Sequence, residues 1–278
     1  NMPVFEGKDG AEKKDAVKAN VLKHIKEYYD VDEEDFLSAE IEVVPAGKAY
    51  DAGFDRSMIL GYGHDDKVCA FASYKAMLEA KNTGYTQCCI LTDKEEIGSV
   101  GATGMKSRFF ENCVAELINA LNGEYSDLVL RRALQNSYML SSDVTSAYDP
   151  SYASVFEKKN VAYLGRGFSF CKYTGSRGKS GSNDANAEFL AGLRKVMDDA
   201  KAQYQMCELG KVDQGGGGTI AYIMALYGMN VVDCGVPVLS MHAPFEAISK
   251  ADLYESKKGY IAFLENIATV MDRKLWKV

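Results

Sequence analysis

Apolar and polar positions recur along this chain with two periods, and each change of period marks an element. Over residues 11–29, Val17, Val21, Ile25 and Tyr28 fall at helical spacing with lysines opposite, which predicts an amphipathic helix. His24, between Lys23 and Lys26, belongs to its solvated side. After an acidic turn at Asp32, Glu33, Glu34 and Asp35 the period shortens to two. Ala39, Ile41 and Val43 alternate with Glu40 and Glu42, which predicts a half-buried strand ended by Pro45 and Gly47. A strand over 56–62 then runs into Gly63-His64-Asp65-Asp66 and a helix with Val68, Phe71, Ala72 and Leu78 inward. The apolar run 88–91 predicts a central strand buried on both faces, ending in Glu95 and Glu96 before Gly98, Gly101 and Gly104. A helix over 104–121 should bury Phe109, Phe110, Cys113, Val114, Leu117 and Leu121, and a second runs to Asn136.

The same punctuation continues to the end. A strand over 138–142 delivers Asp143, and another over 162–164 leads into a basic, glycine-rich loop over 173–182. Next come a helix over 183–202, a strand over 204–209, a glycine loop over 213–219, a helix over 220–227 and a strand over 230–236. Residues 237–241 bring in His242, and 253–274 form a closing helix with Ile261, Leu264, Ile267 and Met271 inward. Strands alternating with helices from residue 56 predict an α/β fold with a mainly parallel sheet and helices on both faces. The expected division is residues 1–50 and residues 51–278.

Composition narrows the function classes. The 278 residues are 47% apolar and 26% charged, ordinary for a globular chain, and a net charge of -7 argues against a nucleic-acid partner held through phosphates. No apolar run reaches the roughly 18 residues of a membrane span, and the amino end lacks a signal-peptide core, so we expect a cytoplasmic protein without a membrane partner. Seven cysteines show neither framework spacing nor a Cys-x-x-Cys pair and read as small core residues.

Candidate chemistry gathers at strand ends. Asp65, Glu95, Glu96, Asp143 and His242 each lie at or just past the carboxyl end of an expected strand, which in one parallel sheet places them on a single rim. Adjacent side chains on extended backbone point opposite ways, so one of Glu95 and Glu96 can hold a metal while the other serves as a base. Acids here also complement the amino end of the following helix, which is the structural alternative. Carboxylates with one histidine suit zinc, manganese or cobalt, and a cation keeps crowded acids ionised. The loop Gly175-Ser176-Arg177-Gly178-Lys179-Ser180 has two residues between its glycines where a phosphate loop needs four. Gly215 to Gly218 lacks the setting of a dinucleotide fingerprint.

These segments carry a family resemblance. Asp93-Lys94-Glu95-Glu96-Ile97-Gly98-Ser99, Ser142-Asp143-Val144-Thr145-Ser146-Ala147-Tyr148-Asp149-Pro150, Gly216-Gly217-Gly218-Thr219 and Pro237-Val238-Leu239-Ser240-Met241-His242 resemble, in order and spacing, the aspartyl aminopeptidase (aminopeptidase I) family of dinuclear zinc exopeptidases. The resemblance implies a three-layer zinc-exopeptidase fold, two zinc ions and peptide substrates with a free amino terminus. It implies Glu95 as general base, Asp65 as the carboxylate bridging two metals with a cis peptide bond after it, Glu96 and His242 on one metal and Asp143 on the other. Substrate contacts fall at Ser146, Arg177, Lys179, Gly217 and Thr219. Residues before about 50 resemble the tail of the family's second domain, which covers the active site and builds a homo-oligomer.

The chain departs from the family pattern in three places. An upstream His-x-Asp strand that completes the second metal is absent, since the only histidines are His24, His64 and His242. Ser146 stands where many members have a histidine, and Ser176 lies near a lysine position linked to acidic substrates. Arg177 and Lys179 are the nearby cations. We therefore expect the carboxyl-terminal part of a longer aminopeptidase, binding one metal at most as it stands. The competing class is a non-catalytic relative that kept the fold as a binding or scaffold subunit.

Overall fold

A computed structural model describes residues 15–272 apart from 178, 212 and 215. The chain forms two compact units, Asn1–Ala46 and Gly47–Val278. In the first, α1 (Ala16–Tyr29) buries no side chain, and a 3-10 turn covers Glu33–Leu37. Positions 11–14 of the expected helix lie outside the described residues. The strand expected over 39–43 is absent, and Ile41 and Val43 are exposed. Alternation supplies a face to bury, but a strand also needs a neighbour for its backbone groups, and among the described residues none pairs there.

The second unit begins with β1 (Tyr50–Ala52), β2 (Met58–Gly61) and α2 (His64–Glu79). Tyr50 pairs with Leu60, so the expected boundary after residue 50 falls inside β1. Next come α3 (Phe109–Asn122), α4 (Asp127–Gln135), β3 (Tyr138–Ser142) and β4 (Thr145–Ser146). They are followed by β5 (Phe168–Cys171), the hairpin β6 (Tyr173–Ser176) and β7 (Ser180–Asp184), α5 (Ala187–Ala200) and β8 (Tyr204–Cys207). The unit closes with α6 (Ala221–Ala225), β9 (Asn230–Gly235), β10 (Pro237–Leu239), β11 (Glu246–Ser249) and α7 (Lys250–Asp272).

One sheet runs β3-β9-β5-β8 and a second runs β1-β2-β11-β10-β4. In the first, β3 with β9 and β5 with β8 are parallel, whereas β5 with β9 is antiparallel. In the second only β10 with β4 is parallel. The fold is therefore mixed α/β, and among the described strands parallel pairing is confined to these three pairs, beside the isolated parallel bridges Asp93–Gly104 and Ala147–Ala162. Helices do cover both faces of the first sheet. Tyr138, Leu140 and Val232 join Phe168 and Phe170 in a core with α5 and α7, while Met139 and Val231 face a second core with Leu130, Leu134 and Met224. Alternate residues of β3 and β9 thus serve opposite layers.

The two sheets are joined through their strands. β3 passes through Asp143 and Val144 into β4, and β9 passes through Val236 into β10, and the pair stays bonded across the crossing. Asp143 N donates to Cys234 O at 2.8 Å, Thr145 N to Val236 O at 3.1 Å and Ala147 N to Val238 O at 2.8 Å. The strands come so close that a Cβ on Gly235 would sit 1.6 Å from Asp143 O. Glycine is required there by contact.

Other departures concern strand formation and burial. Residues 88–91 make no strand, and Cys88 and Leu91 are exposed, because no neighbouring strand of the described residues supplies a ladder. The helix expected from 104 starts at Phe109, and Phe109, Cys113, Leu117 and Leu121 are exposed. Phe71 and Leu78 of α2 are also exposed, its inner face being Val68, Cys69, Ala72 and Ala76. Ala162 makes a single bridge to Ala147, and the strand proper is β5.

Candidate metal and acid site

The crossing of the two sheets builds the site. Asp65 follows β2 at the start of α2, where the Asp65–Asp66 peptide bond is cis. Asp143 lies between β3 and β4. His242 follows β10 in a turn closed by Ala243 N donating to Ser240 O at 3.0 Å. Glu95 and Glu96 open the 3-10 turn Glu95–Ile97 beyond the extended segment 88–91. These positions lie where two sheets meet and not along the rim of one parallel sheet.

Three of the five expected residues converge. His242 Nε2 lies 2.9 Å from Asp65 Oδ2 and 3.0 Å from Glu96 Oε1. Their ligating atoms all fall within 4.8 Å of one another, the one such group found among the described residues. Glu96 and His242 are exposed at the mouth, and Asp65 is mostly covered beneath them. Behind Asp65 sit more acids. Burial first, and then Glu96, push the Asp65 carboxyl up to about 6. Asp66 and Asp143 are raised by burial and by the neighbouring carboxylates, and Glu95 by burial and then by Glu96 and Asp65. Asp66 Oδ1 is buried without a hydrogen bond. Acids crowded in this way repel one another, and a divalent cation offsets that cost. Two carboxylate oxygens and one imidazole nitrogen meeting at a point are donors that fit zinc.

A further acid holds two of the converging residues in place. Glu246, buried at 2% exposure on β11, accepts the Asp65 N–H on Oε2 at 3.1 Å and the His242 N–H on Oε1 at 2.9 Å. His242 needs such a hold, because its φ of 65° is left-handed, a conformation that costs a non-glycine residue about 1–3 kcal/mol. One carboxylate thus clamps the backbones of Asp65 and His242 from separate loops. Sequence reasoning missed Glu246. Its signal was a glutamate four places after His242, directly ahead of the apolar Ala247 and Ile248.

The expected substrate residues fall into two groups. Ser146 ends β4, one strand step beyond the crossing. The glycine-rich loop proves to be the β6–β7 hairpin, with Arg177 and Lys179 exposed in its connection. Thr219 is tied to it from the other glycine loop, because Thr219 Oγ1 and Thr174 Oγ1 both donate to the buried Asp233. Gly217 precedes this tether, and Gly216 packs against the Gly175 carbonyl, where a Cβ would sit at 2.7 Å.

The chain is similar to known proteins. The probable M18 family aminopeptidase 1 of Clostridium acetobutylicum is 62% identical over 259 residues, covering 93% of this chain and 55% of the relative. Its counterpart in Thermotoga maritima is 46% identical over 256 residues, covering 92% of this chain and 56% of the relative. The crystal structure of aminopeptidase I from C. acetobutylicum superposes with a TM-score of 0.83 at 58% identity, over 95% of this chain and 57% of that one. The T. maritima structure gives 0.87 at 45% identity, over 95% and 57%. The chain spans a little over half the length of the curated relatives it matches. No described helix is long and apolar enough to cross a membrane. The model for aminopeptidase I zinc metalloprotease (M18) matches residues 3–264, and the chain belongs to that family.

Proposed function

We propose that this chain carries most of the metal centre of a zinc-dependent aminopeptidase that removes the amino-terminal residue of peptides. The observation that carries the reading is the meeting of Asp65, Glu96 and His242 at one point, in a chain of a zinc peptidase family. Zinc held there would polarise a peptide carbonyl and lower the pKa of a neighbouring water, and manganese or cobalt suits the same donors. Glu95 is the general base in this reading. Its raised pKa brings it toward the neutrality that taking a proton from water and returning it to the leaving amine requires. The free α-amine of the substrate would sit against a carboxylate or the metal, which confines cutting to the amino end. Ser146, Arg177, Lys179, Gly217 and Thr219 contact the substrate, with Thr219 oriented by Asp233.

A second zinc would rest on Asp65 as a bridge and on Asp143. Three protein ligands are usual for catalytic zinc, so the third comes from polypeptide outside these residues, as does a strand completing the parallel part of the sheet. A cavity of about 490 Å³ supports this: residues 88–91 and Tyr138, Met139 and Leu140 line it, and it reaches Asp65, Glu95 and Asp143. β3 is an end strand there, with an edge free to pair. Residues up to about 50 are the remnant of a domain that covers the site and builds a homo-oligomer. Val17 at 79% and Val43 at 95% exposure are apolar surface for such packing. Seven free thiols suit a reducing, cytoplasmic setting.

Zinc content and hydrolysis of aminoacyl anilides, measured on this chain and on a longer polypeptide containing it, test the reading. We expect one zinc at most and no turnover from this chain, and two zinc ions with turnover from the longer form. Full activity from this chain alone refutes the need for an outside ligand. A longer form that binds zinc but turns over nothing establishes the scaffold alternative, which Ser146 favours.

A further inference from the structure

Away from the acids, the fold brings two thiols together. Cys171 closes β5 and Cys207 closes β8, and the parallel register sets these residues opposite each other. Their sulfur atoms are 3.4 Å apart, and each residue is 4% exposed. Neighbouring strands run about 4.7–4.9 Å apart, inside the roughly 4.4–6.8 Å between Cα atoms that a disulfide spans, so joining the sulfurs needs side-chain rotation and no backbone movement. Among the described residues β8 is an end strand of its sheet, so Cys207 lies at the margin of that sheet. On the inner side Thr145 Oγ1 lies 4.0 Å from Cys171 Sγ, one residue before Ser146.

We infer that Cys171 and Cys207 form a peroxide-oxidisable dithiol site, closing to a disulfide between β5 and β8. The two thiols are unequal. Cys207 is held below the usual thiol range, chiefly by its hydrogen bond with Cys171 and further by Ser169 and Thr145, while Cys171 is raised by the same bond and by burial. The first attack falls to Cys207, which sits on the end strand β8 and hydrogen-bonds with Cys171. Cys207 attacks one oxygen of hydrogen peroxide, the O–O bond breaks, the other oxygen leaves as hydroxide and takes up the proton that Cys207 had released to become water, and a sulfenic acid forms on Cys207. Cys171 then attacks that sulfur, the S–S bond forms, the S–O bond breaks, and the Cys171 proton leaves with the hydroxide as a second water. Two thiols and one peroxide give one disulfide and two waters, with two electrons passing from sulfur to oxygen. A cellular dithiol reductant reverses the change.

The test treats the chain with hydrogen peroxide, denatures it in an alkylating reagent and maps tryptic peptides without reduction. The expected result is a species lacking two hydrogens that links the peptide ending at Lys172 to the peptide ending at Lys211 and is lost on reduction. In Cys171→Ser, a sulfenic-acid trap should label Cys207, whereas in Cys207→Ser it should leave Cys171 unlabelled. Recovery of both peptides as alkylated thiols, at a peroxide dose that oxidises the exposed Cys88 and Cys113, overturns the inference. Linkage of either cysteine only to Cys88, Cys89 or Cys113 overturns it equally. If a serine variant fails to fold, the peptide map of the unaltered chain still decides.

Discussion

Glu246→Gln is the substitution that best isolates what holds the proposed metal ligands in place. The glutamate carboxylate accepts two backbone N–H groups, one from each ligand loop, at 3.1 and 2.9 Å. Glutamine keeps the shape but turns one oxygen into an NH2 that faces an N–H. One bond is lost and the other becomes neutral. A hydrogen bond to a charged acceptor contributes about 1.5–3 kcal/mol, and 1.4 kcal/mol is a factor of ten, so about 10–100-fold should be lost from zinc affinity if the loops loosen. Competition for zinc against a chromophoric chelator reads this directly. Asp252→Asn is the control, because buried Asp252 clamps a different loop by accepting Gly165 N–H and Gly167 N–H, both at 2.7 Å. It should cost stability and leave zinc affinity alone. The reasoning fails if Glu246→Gln holds zinc within about twofold of the unaltered chain, or if Asp252→Asn weakens zinc as much.

Three other outcomes are expected. In the longer polypeptide, Glu95→Gln should keep its zinc while kcat for an aminoacyl anilide falls by about 10²–10⁴-fold, and unchanged turnover would remove Glu95 as the base. Gly235→Ala should destabilise by the upper part of the roughly 1–3 kcal/mol range for overpacking, since its Cβ would lie 1.6 Å from Asp143 O; denaturant melts like those of the unaltered chain would refute the contact. The Asp252 carboxyl is raised above 3.8 by burial, against the pull of the Gly165 and Gly167 N–H groups. Its stabilising contribution is therefore full below 3.8 and is lost as pH rises through the folded value. Asp252→Asn should flatten that part of a melting profile against pH, and an unchanged slope would show that another group causes it.

Much of this architecture was legible because it rests on local pattern. The helix at 187–200 has Asn186 as its cap, accepting Phe189 N–H at 2.7 Å, and Tyr138, Met139 and Leu140 show the alternation that serves two layers. Asp65, Glu96 and His242 were legible from motifs tied to strand ends. What stayed hidden depends on partners far along the chain. The run 88–91 is apolar enough for a strand, but a strand exists only with a neighbour, and periodicity does not say whether one is present. Strand direction is equally silent, so the antiparallel pairing of β5 with β9 could not be read from β-branched residues. The β6–β7 hairpin sat inside a stretch whose glycines suggested a loop. Glu246 had no motif, because its role is to join two backbones.

That joining has a consequence during synthesis. Glu246 lies 181 positions after Asp65, and the hydrogen bond between them cannot form until both have been made. At about 5–20 residues per second, the turn bearing Asp65 waits roughly 9–36 s on the ribosome for its clamp. Throughout that interval the early acids have neither their histidine nor the strand that braces them. A metal held by Asp65, Glu96 and His242 would therefore gain its braced site only after residue 246 has been made, so it could not seed the folding of the earlier strands.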